Sequence, residues 1–172
     1  MPKEKQNLML VATASVLIAI LVTLVMLSWA GWLVIPQASR QTMVHDMGGQ
    51  VMPFNLGETM HIFEMTESGG VQQVIANDPN DAAQIDLIQQ HLAFEATRFS
   101  SGDFSDPTTL HGNDLPGIAE LSVAAEQVHI EYSALPDGAQ IVFTADDIEL
   151  ITAIHRWFGA QLSDHGSDAT YR

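Results

Sequence analysis

The chain has 172 residues, with 21 acidic side chains against six lysines and arginines, and a formal net charge of −15 at pH 7. Nucleic-acid binding needs lysine and arginine to displace counterions from phosphates, so this composition excludes that class of function. There is no cysteine, which excludes disulfides and thiolate metal ligands. The soft metal ligands that remain are methionine and histidine.

Residues 8–35 form an apolar run without one ionisable side chain, LMLVATASVLIAILVTLVMLSWAGWLVI. About 20 apolar residues suffice to cross a bilayer, so the run predicts a single transmembrane helix. A cleaved signal peptide is the alternative, but its apolar core has only about 7–15 residues. Lys3 and Lys5 precede the run, and the positive-inside bias therefore puts residues 1–7 in the cytoplasm. The rest of the chain is then expected in the periplasm or outside the cell, anchored in the cytoplasmic membrane.

Residues 36–58 are predicted to form an irregular connector, because Pro36 ends the apolar run and glycine and proline recur through the segment. The segment is also rich in methionine and histidine. Thioether and imidazole groups together suit copper, but methionine is equally a common gap-filler at apolar surfaces. Both interpretations stay open. The candidate copper ligands in this segment and the strand after it are Met43, His45, Met47, Met60 and His61.

Residues 59–165 predict an α+β domain built from two hairpin–helix units (ββα) on an antiparallel sheet of about four strands. The two units align with each other in sequence, which favours duplication, although convergent patterning explains the same likeness. Residues 166–172 are expected to be a polar C-terminal tail. The predicted elements are a hairpin at 59–76, a helix at 80–100, a short helix at 117–126, a hairpin at 127–145 and a helix at 147–162. Apolar stripes at helical spacing are predicted for the two long helices: Ile85, Ile88, Leu92 and Phe99 in the first, and Ile148, Ile151, His155, Phe158 and Leu162 in the second.

Acidic and imidazole side chains recur in the loop 101–117 and near the end of the chain. If the two units are duplicated, both stretches leave the same end of equivalent helices and converge. Two or three histidines with a carboxylate can hold a divalent cation. His155 lies on the apolar stripe of the last helix, where a hydrogen-bonded core histidine is more usual than a ligand. The candidate ligands of this second site are His91, Asp103, Asp106, His111, His155, Asp164 and His165.

Several segments resemble a small family of bacterial membrane-anchored or exported proteins, over roughly residues 58–169. They are GGVQQVIANDPNDAAQIDLIQQHL, GDFSDPTTLHG, LPG and IHRWFGAQLSDHGSDA. Some members carry the label aspartate carbamoyltransferase. Carbamoyltransferases resemble one another in a Ser-x-Arg-Thr-Arg and a His-Pro-x-Gln segment that bind carbamoyl phosphate, and neither occurs here. That activity is therefore not expected. The residues that carry the resemblance are His61, His91, Asp103, Asp106, His111, His155, Asp164 and His165.

The sequence favours a membrane-anchored, extracytoplasmic protein that binds or handles a metal, with copper first, through methionine and histidine. The alternative is a non-catalytic accessory subunit of a membrane complex, whose acidic domain docks a basic partner. The chain has no GxSxG, no HExxH and no phosphate-binding glycine loop. An enzyme is therefore the third hypothesis, in the form of a hydrolase built from aspartate and histidine.

Overall fold

The computed structural model describes residue 13, residues 15–26 and residues 37–172. Residues 15–26 are helical, and their apolar side chains are largely exposed. The predicted transmembrane helix extends beyond this range at both ends, and the predicted cytoplasmic tail lies outside the described residues. In the ranges that are described, no helix is both long and apolar enough to cross a membrane. The chain divides after Pro36 into two compact units.

The second unit, residues 37–172, is an α+β domain with one mixed five-stranded sheet, which confirms the predicted fold class. The helices are α1 (Gln37–Gly48), α2 (Ala82–Ser100), α3 (Ser105–His111), α4 (Ile118–Val123) and α5 (Ile148–His165). The strands are β1 (Thr59–Thr66), β2 (Gly69–Ala76), β3 (Val128–Leu135), β4 (Gly138–Ala145) and β5 (Ala169–Tyr171). Short 3-10 helices occupy Leu56–Glu58, Ala125–Gln127 and Gly166–Asp168.

The strand order is β3-β4-β2-β1-β5. The hairpins β1–β2 and β3–β4 are those predicted, and they join through the antiparallel pair of β2 and β4. β5 lies parallel to β1, with Thr170 opposite Ile62. The sheet is therefore mixed rather than antiparallel, and the expected polar tail supplies its fifth strand. Three residues are too few to show the alternation by which a strand is recognised in sequence.

Both long helices contribute to a single hydrophobic core on one face of the sheet. α2 contacts mainly β3 and β4, whereas α5 contacts β2 and its neighbours, so each helix crosses onto the strands of the other hairpin. Trp157 of α5 is fully buried at the centre. Its ring makes edge contacts with Phe143 at 5.3 Å and Phe99 at 5.5 Å between ring centroids. Such aromatic contacts add to the burial that stabilises the core.

The apolar stripe predicted for α2 is confirmed, because Ile85, Ile88, Leu92 and Phe99 are all buried. The stripe predicted for α5 is shifted around its helix: Ile148 is 69% exposed. The side chains of α5 that face the core are Leu150, Ala153, Ile154, Trp157, Phe158, Gln161, Asp164 and His165.

The segment expected as an irregular connector contains helix α1, which packs against α3 and α5. Its sequence has no apolar stripe, so the helix depends on tertiary contacts rather than on amphipathic patterning. Val44 is buried in the core, and the side-chain amide of Gln41 donates to the carbonyl of Ser163 at 3.0 Å. The chain after α1 also enters the core through Met52, Phe54 and Leu56.

Candidate functional site

A cavity lies between the inner sheet face, helices α2, α3 and α5, and the segment 51–54. The cavity is small, with a volume of about 50 Å³. Most of the wall is apolar, which is typical of sites for small ligands. The polar side chains of the wall are His61, Gln72, His91, Glu95, Asp106, His111, Gln161 and His165.

Among the described residues, six buried polar side-chain atoms have no hydrogen-bond partner, and all six belong to residues that line this cavity. Leaving one buried polar group unpaired costs about 1–3 kcal/mol, so native structures rarely collect several in one place. Their concentration here indicates a site that is completed by a ligand. The atoms are His61 Nδ1, Gln72 Oε1, His111 Nε2, Trp157 Nε1, Gln161 Nε2 and His165 Nδ1.

His111, the last residue of α3, is oriented by a carboxylate. Its Nδ1–H donates to Asp164 Oδ2 at 3.0 Å, so the partnerless Nε2 carries the lone pair. Arg40 of α1 donates to both carboxylate oxygens of Asp164, at 2.5 and 2.7 Å, and to the His111 carbonyl at 2.8 Å. Burial opposes ionisation of Asp164, but the bonds from Arg40 and His111 outweigh it and hold its pKa below the ordinary value.

His61 points from the middle of β1 into the same end of the cavity. Its ring hydrogen-bonds the backbone of Asp168, and because Nδ1 has no partner, that bond uses Nε2. Burial lowers the pKa of His61 to about 4 and that of His165 well below its ordinary value. The ring of His165 stacks on His61 with centroids 4.7 Å apart and meets the His111 ring edge-on at 5.0 Å. Burial also lowers the pKa of His111, so three neutral imidazoles share this end.

Acidic side chains line another part of the wall. Arg98 of α2 binds Asp103 at 2.9 Å and Asp106 at 2.8 Å, which ties the start of α3 to α2. Glu95 is buried, and burial together with a hydrogen bond to Asp106 raises its pKa to about 8. Arg98 Nη1 lies 3.3 Å from Glu95 Oε1 and favours the charged form, but burial outweighs it, so the protonated form of Glu95 predominates at neutral pH. His91 also lines the cavity, with its ring edge-on to Phe54 at 5.6 Å.

The five methionines and histidines proposed as a copper cluster do not come together. Met43 is exposed, Met47 packs against the core, and His45 binds Asp168 at the surface through Nδ1 at 2.7 Å. Met60 and His61 point to opposite faces of the sheet because neighbouring strand residues alternate. Only His61 of this group reaches the cavity. Met52, which was not among the predicted ligands, lies in the cavity wall.

Five residues of the second predicted set reach the cavity or its immediate surroundings. The structure brings His111, Asp164 and His165 together and adds His61 to them; Asp106 and His91 line the wall, whereas Asp103 remains outside on Arg98. Sequence reasoning missed three lining residues that carry partnerless atoms. Trp157 and Gln161 could have been found from the sequence, because they precede His165 by eight and four residues and so share its helix face. The three missed residues are Gln72, Trp157 and Gln161.

His155 does not line the cavity and has a structural role. Its Nε2 lies 3.0 Å from the carbonyl of Thr66 and 2.8 Å from that of Gly69, so its N–H is shared between both sides of the β1–β2 turn. We expect His155→Ala to lower the free energy of unfolding by about 1–2 kcal/mol, the contribution of a partly buried hydrogen bond plus lost packing. Urea denaturation measures this. The control is His129→Ala, an exposed histidine expected to change nothing, and equal stability of the two variants would contradict the role.

The described residues contain no group of three histidine, cysteine, aspartate or glutamate side chains already arranged around a metal position. The reason is visible in the ring orientations: His61 and His165 lie within 16° of parallel, so their in-plane lone pairs do not converge. Comparison with known protein families, with characterised proteins and with solved structures finds no match to this chain.

Proposed function

We propose that the domain binds a transition-metal ion, copper in preference to others, at the imidazoles of His61, His111 and His165. The observation that carries the proposal is that each ring has one buried nitrogen without a hydrogen-bond partner, and that all three line one cavity. Neutral imidazole is the form that binds metals, and burial favours that form in all three rings.

The spacing of the rings supports a shared ion. Metal–nitrogen bonds of about 2.0–2.1 Å place the ring centres of two imidazoles on a tetrahedral ion about 5 Å apart. The measured separations are 4.7 Å for His61 and His165 and 5.0 Å for His111 and His165. Rotation of the His165 ring about its Cβ–Cγ bond ends the parallel arrangement without moving the backbone.

The surroundings of two rings match those of ligating histidines. A metal-bound histidine usually donates its other N–H to a carboxylate or a backbone carbonyl, which fixes the tautomer and the ring orientation. Asp164 accepts from His111 in this way, and the backbone of Asp168 pairs with His61. The free nitrogens, His111 Nε2 and His61 Nδ1, are therefore oriented before any ion arrives.

Copper is favoured by the kinds of ligand present. Met52 places a thioether in the same wall, and thioether with imidazole suits copper. Imidazole sites also bind Cu(II) more tightly than the other divalent ions of the first transition row. Calcium needs six to eight oxygen ligands. The cavity does not supply them, because Glu95 is protonated and Asp164 is held by Arg40.

We further propose that residues 8–35 anchor this domain in the cytoplasmic membrane, with the N-terminus in the cytoplasm and the metal site outside it. Lys3 and Lys5 support the orientation. The helical residues 15–26 support the anchor, because exposed apolar side chains all around a helix require apolar surroundings. In that compartment the absence of cysteine leaves histidine and methionine to bind copper.

Titration of the purified full-length chain with Cu(I) and Cu(II) against a competing chelator tests the metal site. We expect submicromolar binding, and a loss of about tenfold or more for His61→Ala and for His111→Ala, since each change removes one ligand. His45→Ala is the control, a surface histidine outside the cavity that should leave the affinity unchanged. Affinity that is equal in all four proteins contradicts this site. A chain that binds no copper contradicts the function and favours the accessory-subunit alternative.

A further inference from the structure

A metal ion at the three imidazoles leaves half of the partnerless atoms unexplained. It takes up lone pairs of His61, His111 and His165, but it cannot accept a hydrogen bond. Three buried atoms of the cavity then still lack partners: the indole N–H of Trp157, the amide N–H group of Gln161 and the amide oxygen of Gln72. The first two are donors and the third is an acceptor.

The two donors lie beside the imidazoles. Trp157, Gln161 and His165 follow one another at intervals of four residues on α5, which places them in one row along the helix. The Gln161 side chain also approaches the His111 ring as a hydrogen-bond partner, which raises the pKa of that imidazole, although Gln161 Nε2 and His111 Nε2 make no hydrogen bond of ordinary geometry. Gln72 faces them from the sheet: it is opposite Phe63 in register and therefore a diagonal neighbour of His61 on the same face.

We propose that the metal site is open and that the cavity takes a small anion, which coordinates the metal and accepts hydrogen bonds from Trp157 and Gln161. This inference rests on the proposed metal site. Three neutral imidazoles leave the ion's charge uncompensated, so an anion is the ligand that completes it. Glu95 is mainly protonated, and Asp164 is paired with Arg40. Asp106, the other acid in the wall, is paired with Arg98 at 2.8 Å, so the nearby acids repel an anion little.

The wall sets the size and shape of the ligand. Leu92, Phe99 and Ile141 line the same cavity and offer no hydrogen bonds. The cavity volume of about 50 Å³ limits the ligand to a few atoms. A carboxylate or an oxyanion of similar size has enough lone pairs to bind the metal and both donors. A ligand that also carries an O–H, such as hydrogen carbonate, pairs in addition with Gln72 Oε1.

Azide is a suitable probe, because it is a small linear anion that gives a charge-transfer absorption band when it coordinates Cu(II). The full-length chain is first loaded with Cu(II), and its copper affinity is measured for every variant. We expect azide to bind the loaded wild type. Trp157→Phe and Gln161→Met each remove one donor at similar volume, and we expect each to weaken azide binding about tenfold when the variant is fully loaded with copper.

Gln73→Met is the matched control, since it removes an amide from the opposite face of the sheet, where Gln73 bonds Gln140. It should leave azide affinity unchanged. Absence of the charge-transfer band in the loaded wild type means a closed site or one filled by water, and overturns the inference. Equal azide affinity in wild type and Gln161→Met also overturns it, even if Trp157→Phe fails to fold. Copper binding is measured before azide is added. A chain that binds no copper therefore refutes the metal site itself and not only the anion site.

Discussion

Replacing Arg40 by methionine is expected to lower the free energy of unfolding by about 2–3 kcal/mol, because the buried carboxylate of Asp164 loses its bidentate partner. Breaking a fully buried ion pair costs about 3–5 kcal/mol. The smaller figure applies here because the Arg40 side chain is 39% exposed, so water replaces part of the lost interaction. Urea denaturation of both proteins at pH 7 measures the difference.

Arg156→Met is the matched control, since Arg156 pairs with Glu120 where both side chains are about half exposed. Exposed pairs contribute about 0–1 kcal/mol, so this variant should remain close to wild type. The double variant Arg40→Met with Asp164→Asn replaces the unpaired carboxylate by a neutral amide. It should therefore recover part of the lost free energy of unfolding. Equal stability of Arg40→Met and Arg156→Met would contradict this prediction. It would mean that the Asp164 carboxylate does not depend on Arg40 of α1.

Changing Glu95 to glutamine is expected to alter how stability depends on pH. Burial raises the pKa of Glu95 from 4.5 to about 8, so between these values the folded carboxyl holds a proton that the unfolded one releases. Stability from this group is complete below about pH 4.5 and is lost as pH rises through about 8. Glutamine keeps the shape without the titration, so the variant should not show this loss.

The best window for the comparison is pH 6.5 to 8. Below about pH 6.5 the buried histidines contribute the opposite slope, because His61 has a folded pKa of about 4 and stability is lost as pH falls toward it. As pH rises above 6.5 the unfolded imidazoles also lose their protons, so the slope from the histidines fades and that from Glu95 comes to dominate. Thermal midpoints should fall between pH 6.5 and 8 in wild type and in the exposed control Glu64→Gln, but less in Glu95→Gln. Parallel curves for all three proteins would contradict a protonated Glu95.

The segments with a periodic apolar pattern could be predicted, because the residues that the pattern places on one face are the residues that are buried. Ile85, Ile88, Leu92 and Phe99 recur at helical spacing and do face the core. α1 and β5 were not predictable in this way. α1 is mostly polar and is held by Arg40, Gln41 and Val44 against parts of the chain remote in sequence. Tertiary contacts of that kind leave no periodic signal.

The candidate site was predictable where it follows from topology. The alignment of the two units led us to expect the loop holding His111 and the segment holding Asp164 to converge, and the structure joins them at 3.0 Å. Met60 and His61 were both named as candidate copper ligands, but they lie on opposite faces of the sheet because neighbouring strand residues alternate. Gln161 was not predicted, because a polar residue in a helical sequence normally indicates a solvent-facing position. Its burial follows only when its neighbours at four-residue spacing are known to be buried.

The bridge from Arg40 to Asp164 joins residues 124 positions apart, from the first helix of the domain to its last. Contacts of such high sequence separation form late in folding, because a long loop must close before they stabilise anything. Until then Asp164 lacks the guanidinium that helps to keep it ionised beside His111. Under the proposed metal function, an ion that reaches the chain before this contact forms would meet imidazoles that are not yet held in place. If the domain binds a metal as proposed, selective loading is expected to follow folding, and binding of a wrong ion is expected mainly before the domain is complete.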